Sequence, residues 1–315
     1  MMQPSWKDAI YLQREQLAGM LREPIARLAH DCAPAWDDRH TLNEALLSGF
    51  SSIPHCTYLY CVGADAVQIC DNAGASGLVP GHFGRDRSSR PYMKEPVPSW
   101  GFLLSDAYIS LISRRPSLTA LQAVQGESGL LGYLGADFDL RNLPVTGQQY
   151  HESSAWRQVR GDPVIRESVM SQRRVASAMD GHLDHALSIL EELMVDRGVF
   201  QCIVHFSSSQ ATIWTRDDPM RYRILDDEAL SDPDICLVYP AQPYPADAAT
   251  PADAVVHIMH GLRAMRTADE NIYLRSASIN LFNGMISLTF SCDGTHYMRY
   301  DEFLGKSTQF WFGAA

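Results

Sequence analysis

The sequence predicts an α+β protein of two modules, each made of helices followed by antiparallel strands. Three observations carry that expectation. A stretch of helical apolar periodicity opens the chain, a series of short β-rich runs separated by turn residues follows, and the same order returns after a polar, irregular segment near the middle. With 315 residues, 46% of them hydrophobic and 20% charged, the chain is long enough for two domains and has the composition of an ordinary globular protein with a substantial core.

Residues 5–31 predict a long helix, because Ala9, Leu12, Leu17, Met20, Leu21, Ile25 and Leu28 recur at the spacing of one apolar face. Pro24 is expected to kink it, since proline removes a backbone donor. A second helix is expected over 41–50, where Thr41 stands three positions before Glu44, the spacing of a capping box. Strands are expected at 57–63 and 67–71 around a tight turn, followed by a Gly- and Pro-rich loop over 73–84. Three more strands, 103–111, 118–125 and 130–140, are separated by Arg115-Pro116 and by a Gly-flanked turn. Short turns between consecutive strands imply an antiparallel sheet, here of five strands. The first module is thus assigned to 1–145, a connection to 146–172 and a second α+β module to 173–315. In the second half a long helix is expected over 164–197, broken near Gly181, then strands at 200–206, 211–215 and 235–239. A Pro- and Ala-rich loop over 240–251 precedes a helix at 252–265 and strands at 274–280, 285–292 and 296–300.

The formal charge of -11 argues against nucleic acid as the main partner, although Arg85, Arg87 and Arg90 form a local basic cluster. Seven cysteines, an odd number without C-x-x-C spacing and mostly in apolar runs, read as buried thiols of a reducing compartment. The first twenty residues carry charges throughout, and no run approaches the length of a membrane span. The expectation is a cytoplasmic protein with no membrane partner.

The most informative stretch is GRDRSSRPYM, from Gly84 to Met93, followed by SDAYIS and then GLLGYLGADFDL. Arg90 precedes a Pro-Tyr corner, Tyr108 lies eighteen positions further on, and Asp137 forty-seven. This trio at this spacing resembles the ligand pocket of double-Cache (PDC-type) sensor domains, a PAS-like, mostly extracytoplasmic family that binds amino acids and small carboxylates. The resemblance covers roughly residues 5–145. It implies a PAS-like antiparallel sheet with a long N-terminal helix, a helix that in this family pairs across a homodimer. A second module of PAS-like shape is expected from the repeated helix-then-strands order.

It further implies Arg90 as a clamp for a ligand carboxylate, Asp137 as acceptor for its amine, and Tyr92 and Tyr108 as walls and hydroxyl donors. The chemistry suits those roles: a guanidinium presents a fork of donors to a carboxylate, and an aromatic face attracts an ammonium group. Pro91 restrains Arg90 to extended geometry before any ligand arrives. Arg85 and Asp106 join them as candidate ligand-binding residues. Arg85 stands where the family has a tyrosine, and Met93 replaces an aromatic residue. A second arginine in the pocket favours an acidic amino acid or a dicarboxylate, whereas Asp137 repels a ligand without an amine. The structural alternative pairs Arg90 with Asp86 or Asp106, leaves Arg85 and Arg87 solvated or structural, and lets Asp137 close a strand end.

The rival chemistry lies in the histidines. His182 and His185 flank Asp184, and Asp253, His257 and His260 share another predicted helix, at spacings that place them on one face. These residues would serve a metal-dependent enzyme, yet H-E-x-x-H is absent. No G-x-S-x-G elbow, Walker A motif or dinucleotide glycine fingerprint is present, and Gly132 and Gly135 fall inside a strand pattern. The expectation is a non-enzymatic sensor with no cofactor and no metal. It would recognise a small carboxylate-bearing metabolite, amino acids ahead of dicarboxylates, and pass a conformational change to the second module or to a separate signalling protein. A dimeric scaffold is the remaining alternative.

Overall fold

A computed structural model of the chain describes residues 5–127, 129–145, 174–291, 294–307 and 310–311. The expected connection over 146–172, the first part of the helix expected from 164 and Cys292 lie outside the described residues. The rest divides into two compact units, one within Lys7–Gln148 and the other within Gln149–Ala315.

In the first unit, α1 (Trp6–Cys32) runs unbroken through Pro24 and buries Leu17, Leu21, Ile25 and Leu28. Helix α2 (Arg39–Gly49) starts earlier than the Thr41–Glu44 spacing predicts. Asp38 is its N-cap and accepts a hydrogen bond from the Thr41 amide at 2.7 Å, so the helix begins one residue beyond an aspartate rather than at the threonine. A short helix, α3 (Pro91–Lys94), follows the basic cluster.

The sheet has seven strands where five were expected: β1 (Tyr58–Gly63), β2 (Asn72–Gly74), β3 (Gly77–Val79), β4 (Phe102–Leu104), β5 (Tyr108–Ile109), β6 (Pro116–Gly126) and β7 (Gly129–Asp139). Its order is β3-β2-β1-β7-β6-β4, with β5 also on β6, and every pairing is antiparallel. The strand expected at 67–71 is reduced to two isolated bridges, Val62 with Gln68 and Val67 with Asp86. Its polar side chains Gln68 and Asp71 are buried in hydrogen bonds to Arg87 and to Asn43 and Arg39 instead. The β2–β3 hairpin occupies what read as a loop. The strand expected at 103–111 is interrupted because the Ser105 hydroxyl, in place of a backbone carbonyl, accepts the Thr119 amide at 3.1 Å.

Strand alternation then sorts the faces. Leu59, Cys61, Leu118, Leu134, Ala136 and Phe138 are fully or almost fully buried on one face, where Cys61 meets Cys32 at the end of α1. Tyr60, Thr119 and Asp137 belong to the other face.

The second unit contains α4 (Leu183–Asp196), β8 (Val199–His205), β9 (Gln210–Thr215), β10 (Asp218–Leu225), α5 (Asp227–Ser231), α6 (Ala252–Thr267), β11 (Leu274–Asn280), β12 (Met285–Phe290), β13 (Thr295–Arg299) and α7 (Tyr300–Gly305). Its antiparallel sheet has the order β10-β9-β8-β11-β12-β13. Packed α4 and α6 bury Ile189, Leu190, Leu193, Ile258 and Leu262. Of residues 235–239, expected as a strand, 235–238 belong to a 3-10 helix (Pro233–Val238) capped by the Asp232 carboxylate. A short apolar run has no periodicity to separate a buried strand from a buried helical turn. Among the described residues no helix is long and apolar enough to cross a membrane.

Candidate functional site

The face of the first sheet opposite α1 carries a polar, aromatic cluster around Asp137. The register places Asp137 of β7 directly beside Thr119 of β6 and Tyr58 of β1, with Tyr60 beside Gly135. Gly135 is required there: a Cβ on it would lie 2.5 Å from the Tyr60 ring. The missing side chain lets Tyr60 lie across β7, and its hydroxyl donates to Asp137 Oδ1 at 2.9 Å. Thr119 donates to the same oxygen at 2.7 Å. Its only proton being used, Thr119 Oγ1 accepts from the Tyr108 hydroxyl at 2.6 Å. Among the described residues Asp137 Oδ2 receives no hydrogen bond.

Arg87 and Arg90 bound a single turn, in which the Arg90 amide donates to the Arg87 carbonyl at 2.9 Å. Arg90 caps α3 with φ -71 and ψ 143, the extended geometry that Pro91 imposes. Its half-buried guanidinium lies over the rings of Tyr108 at 5.2 Å and Tyr92 at 5.8 Å. Among the described residues it forms no hydrogen bond and no ion pair. Arg87 is buried. It stacks on Tyr60 at 4.4 Å, donates from Nε to Gln68 Oε1 at 2.9 Å and also from Nη2 to that oxygen, and donates from Nη1 to the Tyr92 hydroxyl at 3.2 Å. Gln68 is itself fixed by bonds to the Cys70 carbonyl and to Asn72.

Burial pushes the Asp137 carboxyl above its ordinary range; the Thr119 bond, the Arg87 charge, the Tyr60 bond and the Arg90 charge act in the opposite sense. The phenols of Tyr60 and Tyr108 are held well above their usual value, first by burial and then by the Asp137 charge, so both stay protonated donors. Tyr60, Tyr92 and Thr119 are fully buried, whereas Asp137 and Arg90 remain half-buried. An unpartnered carboxylate oxygen and an unpaired guanidinium therefore stand in front of a fully enclosed aromatic layer.

Of the six residues singled out from sequence, the structure gathers Arg90, Tyr92, Tyr108 and Asp137. Arg85 is exposed, and its backbone carbonyl accepts the Gln68 amide. Asp106 is exposed and pairs with Arg14 at 2.9 Å. Neither belongs to the cluster, and neither Asp86 nor Asp106 is an ion-pair partner of Arg90. Tyr60, Thr119 and the bonding role of Arg87 were not anticipated. Gly135, on the face of Asp137 and two residues before it, was the available signal for a ring crossing β7; Thr119 becomes visible only from the register.

The histidines are dispersed. His182 lies 3.3 Å from Asp227, Asp184 pairs with Arg263, and His257 and His260 are exposed on α6. Among the described residues no group of three or more His, Cys, Asp or Glu side chains is placed to hold a metal ion.

No family model matches the sequence, and no curated protein matches it. Among solved structures the chain is similar to the ligand-binding domain of the Campylobacter jejuni chemoreceptor Tlp3 in complex with 4-methylisoleucine (14% identity over 46% of this chain and 65% of that one, TM-score 0.34). It is also similar to the ligand-binding domain of the Pseudomonas fluorescens chemoreceptor CtaA in complex with L-serine (17%, 45% and 60%, TM-score 0.33) and with L-isoleucine (18%, 42% and 52%, TM-score 0.32). The chain spans between about half and two thirds of the length of these domains. At that level the likeness assigns neither ligand nor activity to this chain.

Proposed function

We propose that the first unit is a small-molecule sensor whose ligand is an amino acid. The observation that supports this is the pairing of opposite groups left unsatisfied among the described residues: the Arg90 guanidinium without an anionic partner and Asp137 with Oδ2 free of donors. An α-amino acid carries a carboxylate for the first and an ammonium group for the second, and Tyr92 and Tyr108 line the space beside Arg90. Bonds from Tyr60 and Thr119 hold Asp137 Oδ1 in place and leave Oδ2 for the ligand. This reading involves binding without covalent chemistry, and signalling by a shift in population toward the ligand-bound conformation, passed to the second unit or to a partner protein. Dimerisation through α1 belongs to the same proposal. So does a reducing compartment, supported by Cys32, Cys61, Cys70 and Cys202, which are buried free thiols.

Thermal-shift measurements against a panel of amino acids, dicarboxylates and monocarboxylates test the proposal. Ligand at a hundred times its dissociation constant stabilises by about 2.7 kcal/mol. A shift in the wild type that disappears in both Arg90→Ala and Asp137→Asn is the expected result. A shift retained in both variants would refute the site.

A further inference from the structure

Two arginines, not one, stand within electrostatic range of Asp137. Arg87 is only 5% exposed, yet among the described residues it has no ion-pair partner. Burying a guanidinium without a paired counter-charge is costly: Arg87 stacks on Tyr60 and bonds neutral acceptors, and the Asp137 carboxylate acts on it from beyond ion-pair distance. Its three bonds use Nε–H, one Nη2–H and one Nη1–H, which leaves one N–H on each Nη atom.

Its position ties it to the same site. Arg87 stacks on the ring whose hydroxyl bonds Asp137, and it bonds the hydroxyl of Tyr92, over whose ring Arg90 lies. Both arginines act on the Asp137 carboxylate electrostatically. His82, also within range of Asp137, has its pKa lowered by burial and then by Arg87 and Arg85, so it adds no charge at neutral pH. A zwitterionic ligand would leave the site with one positive charge more than it can neutralise. A ligand with an ammonium group and two carboxylates removes that excess. A simple monocarboxylate also balances the charge but gives Asp137 Oδ2 no donor, and a dicarboxylate lacks that donor as well.

We infer that the site selects an acidic amino acid, aspartate or glutamate, with the α-carboxylate on Arg90, the ammonium group on Asp137 and the second carboxylate against Arg87. This rests on the amino-acid reading above and narrows it to one charge class. The second arginine is Arg87, whereas the sequence pointed to Arg85.

Titration calorimetry on the intact chain tests it, with L-glutamate and L-aspartate against their neutral isosteres L-glutamine and L-asparagine, and with butyrate and glutarate as controls. The expected result is an acidic member at least about tenfold tighter than its amide, with the two controls weaker than either. Arg87→Met, which keeps an apolar stem without the charge, is expected to bring the amide level with or above the acid. Should that variant not fold, the wild-type comparison of acid with amide decides alone. An amide that binds as tightly as its acid overturns the charge selection and leaves the amino-acid sensor standing. Butyrate or glutarate binding as tightly as glutamate overturns it too. Silence from every amino acid overturns both readings together.

Discussion

Each unit buries arginine against aromatic rings. In the second, Arg266 is fully buried, lies 5.4 Å from the Tyr273 ring, and donates to both oxygens of Asp180 at 2.8 and 2.7 Å and to the Leu274 carbonyl. Arg197 is likewise held there by Glu192 and the Tyr239 carbonyl. In the first unit Arg87 has a similar burial and a similar ring beneath it, but its acceptors are an amide and a phenol. The chain thus neutralises its buried arginine charge in one unit and leaves it open in the other. A closed bidentate pair fixes a fold, whereas an open guanidinium and a half-open carboxylate are, in the proposed function, the groups that an external ligand would answer. On the proposed reading, charge that the chain does not balance is what separates the candidate site from a structural ion pair.

The comparison is broken most severely from the second unit. Asp180→Ala leaves the Arg266 charge buried and alone, and should cost about 3–5 kcal/mol, read as a lower urea midpoint. A loss below about 1 kcal/mol would mean that the pair does not hold that unit together. Next in size is Gly135→Val in the first unit. The added side chain would meet the Tyr60 ring at close range, at a cost of about 1–3 kcal/mol, and would remove ligand binding without touching Asp137. Unchanged affinity in a folded Gly135→Val protein would show that the position of Tyr60 is immaterial.

The two aspartates should also titrate with opposite sign. For Asp180 burial raises the pKa, but the Arg266 hydrogen bonds, the Ser177 amide and the Arg266 and Arg174 charges lower it further, for a net decrease. Its contribution is therefore present above the ordinary carboxylate value near 3.9 and is lost as pH falls through the lowered folded value. For Asp137 the folded value is raised, so the unfolded chain releases its proton first and stability falls as pH rises through that window. Asp137→Asn should accordingly melt at a higher temperature than wild type near neutral pH while losing the ligand. In the wild type, affinity for an amino acid should weaken as pH is lowered into the raised range of Asp137, because only the carboxylate accepts an ammonium group. A pH-independent affinity down to that range would remove Asp137 from ligand contact. The smallest effect on stability is expected for Arg90→Ala, within about 0.5 kcal/mol, because the half-buried guanidinium forms no hydrogen bond or ion pair among the described residues.

Elements with a clear period were legible in the sequence: α1, α6, β6, β7, β11 and β12 lie close to where periodicity and turn residues put them. Several elements of two to five residues were not. The β2–β3 hairpin, β5 and α5 are too short to establish a period, and 235–239 carries only apolarity, which serves a 3-10 helix as well as a strand. In the site, the resemblance to double-Cache pockets marked Arg90, Tyr108 and Asp137, and Pro91 announced the extended geometry of Arg90. Thr119, Tyr60 and Gln68 were invisible because their roles depend on neighbours eighteen to seventy-seven positions away along the chain.

By itself the sequence determined the α+β class, the long opening helix, and the residue types able to hold a carboxylate and an amine, since these follow from local period and side-chain chemistry. The tertiary structure decided which charges are answered. Asp106 and Asp184 meet arginines at the surface, Asp180 closes around Arg266, and Arg87 and Arg90 are left with rings and neutral acceptors. Coulombic pairing acts through distance in space, and strand register and burial fix that distance irrespective of separation along the chain.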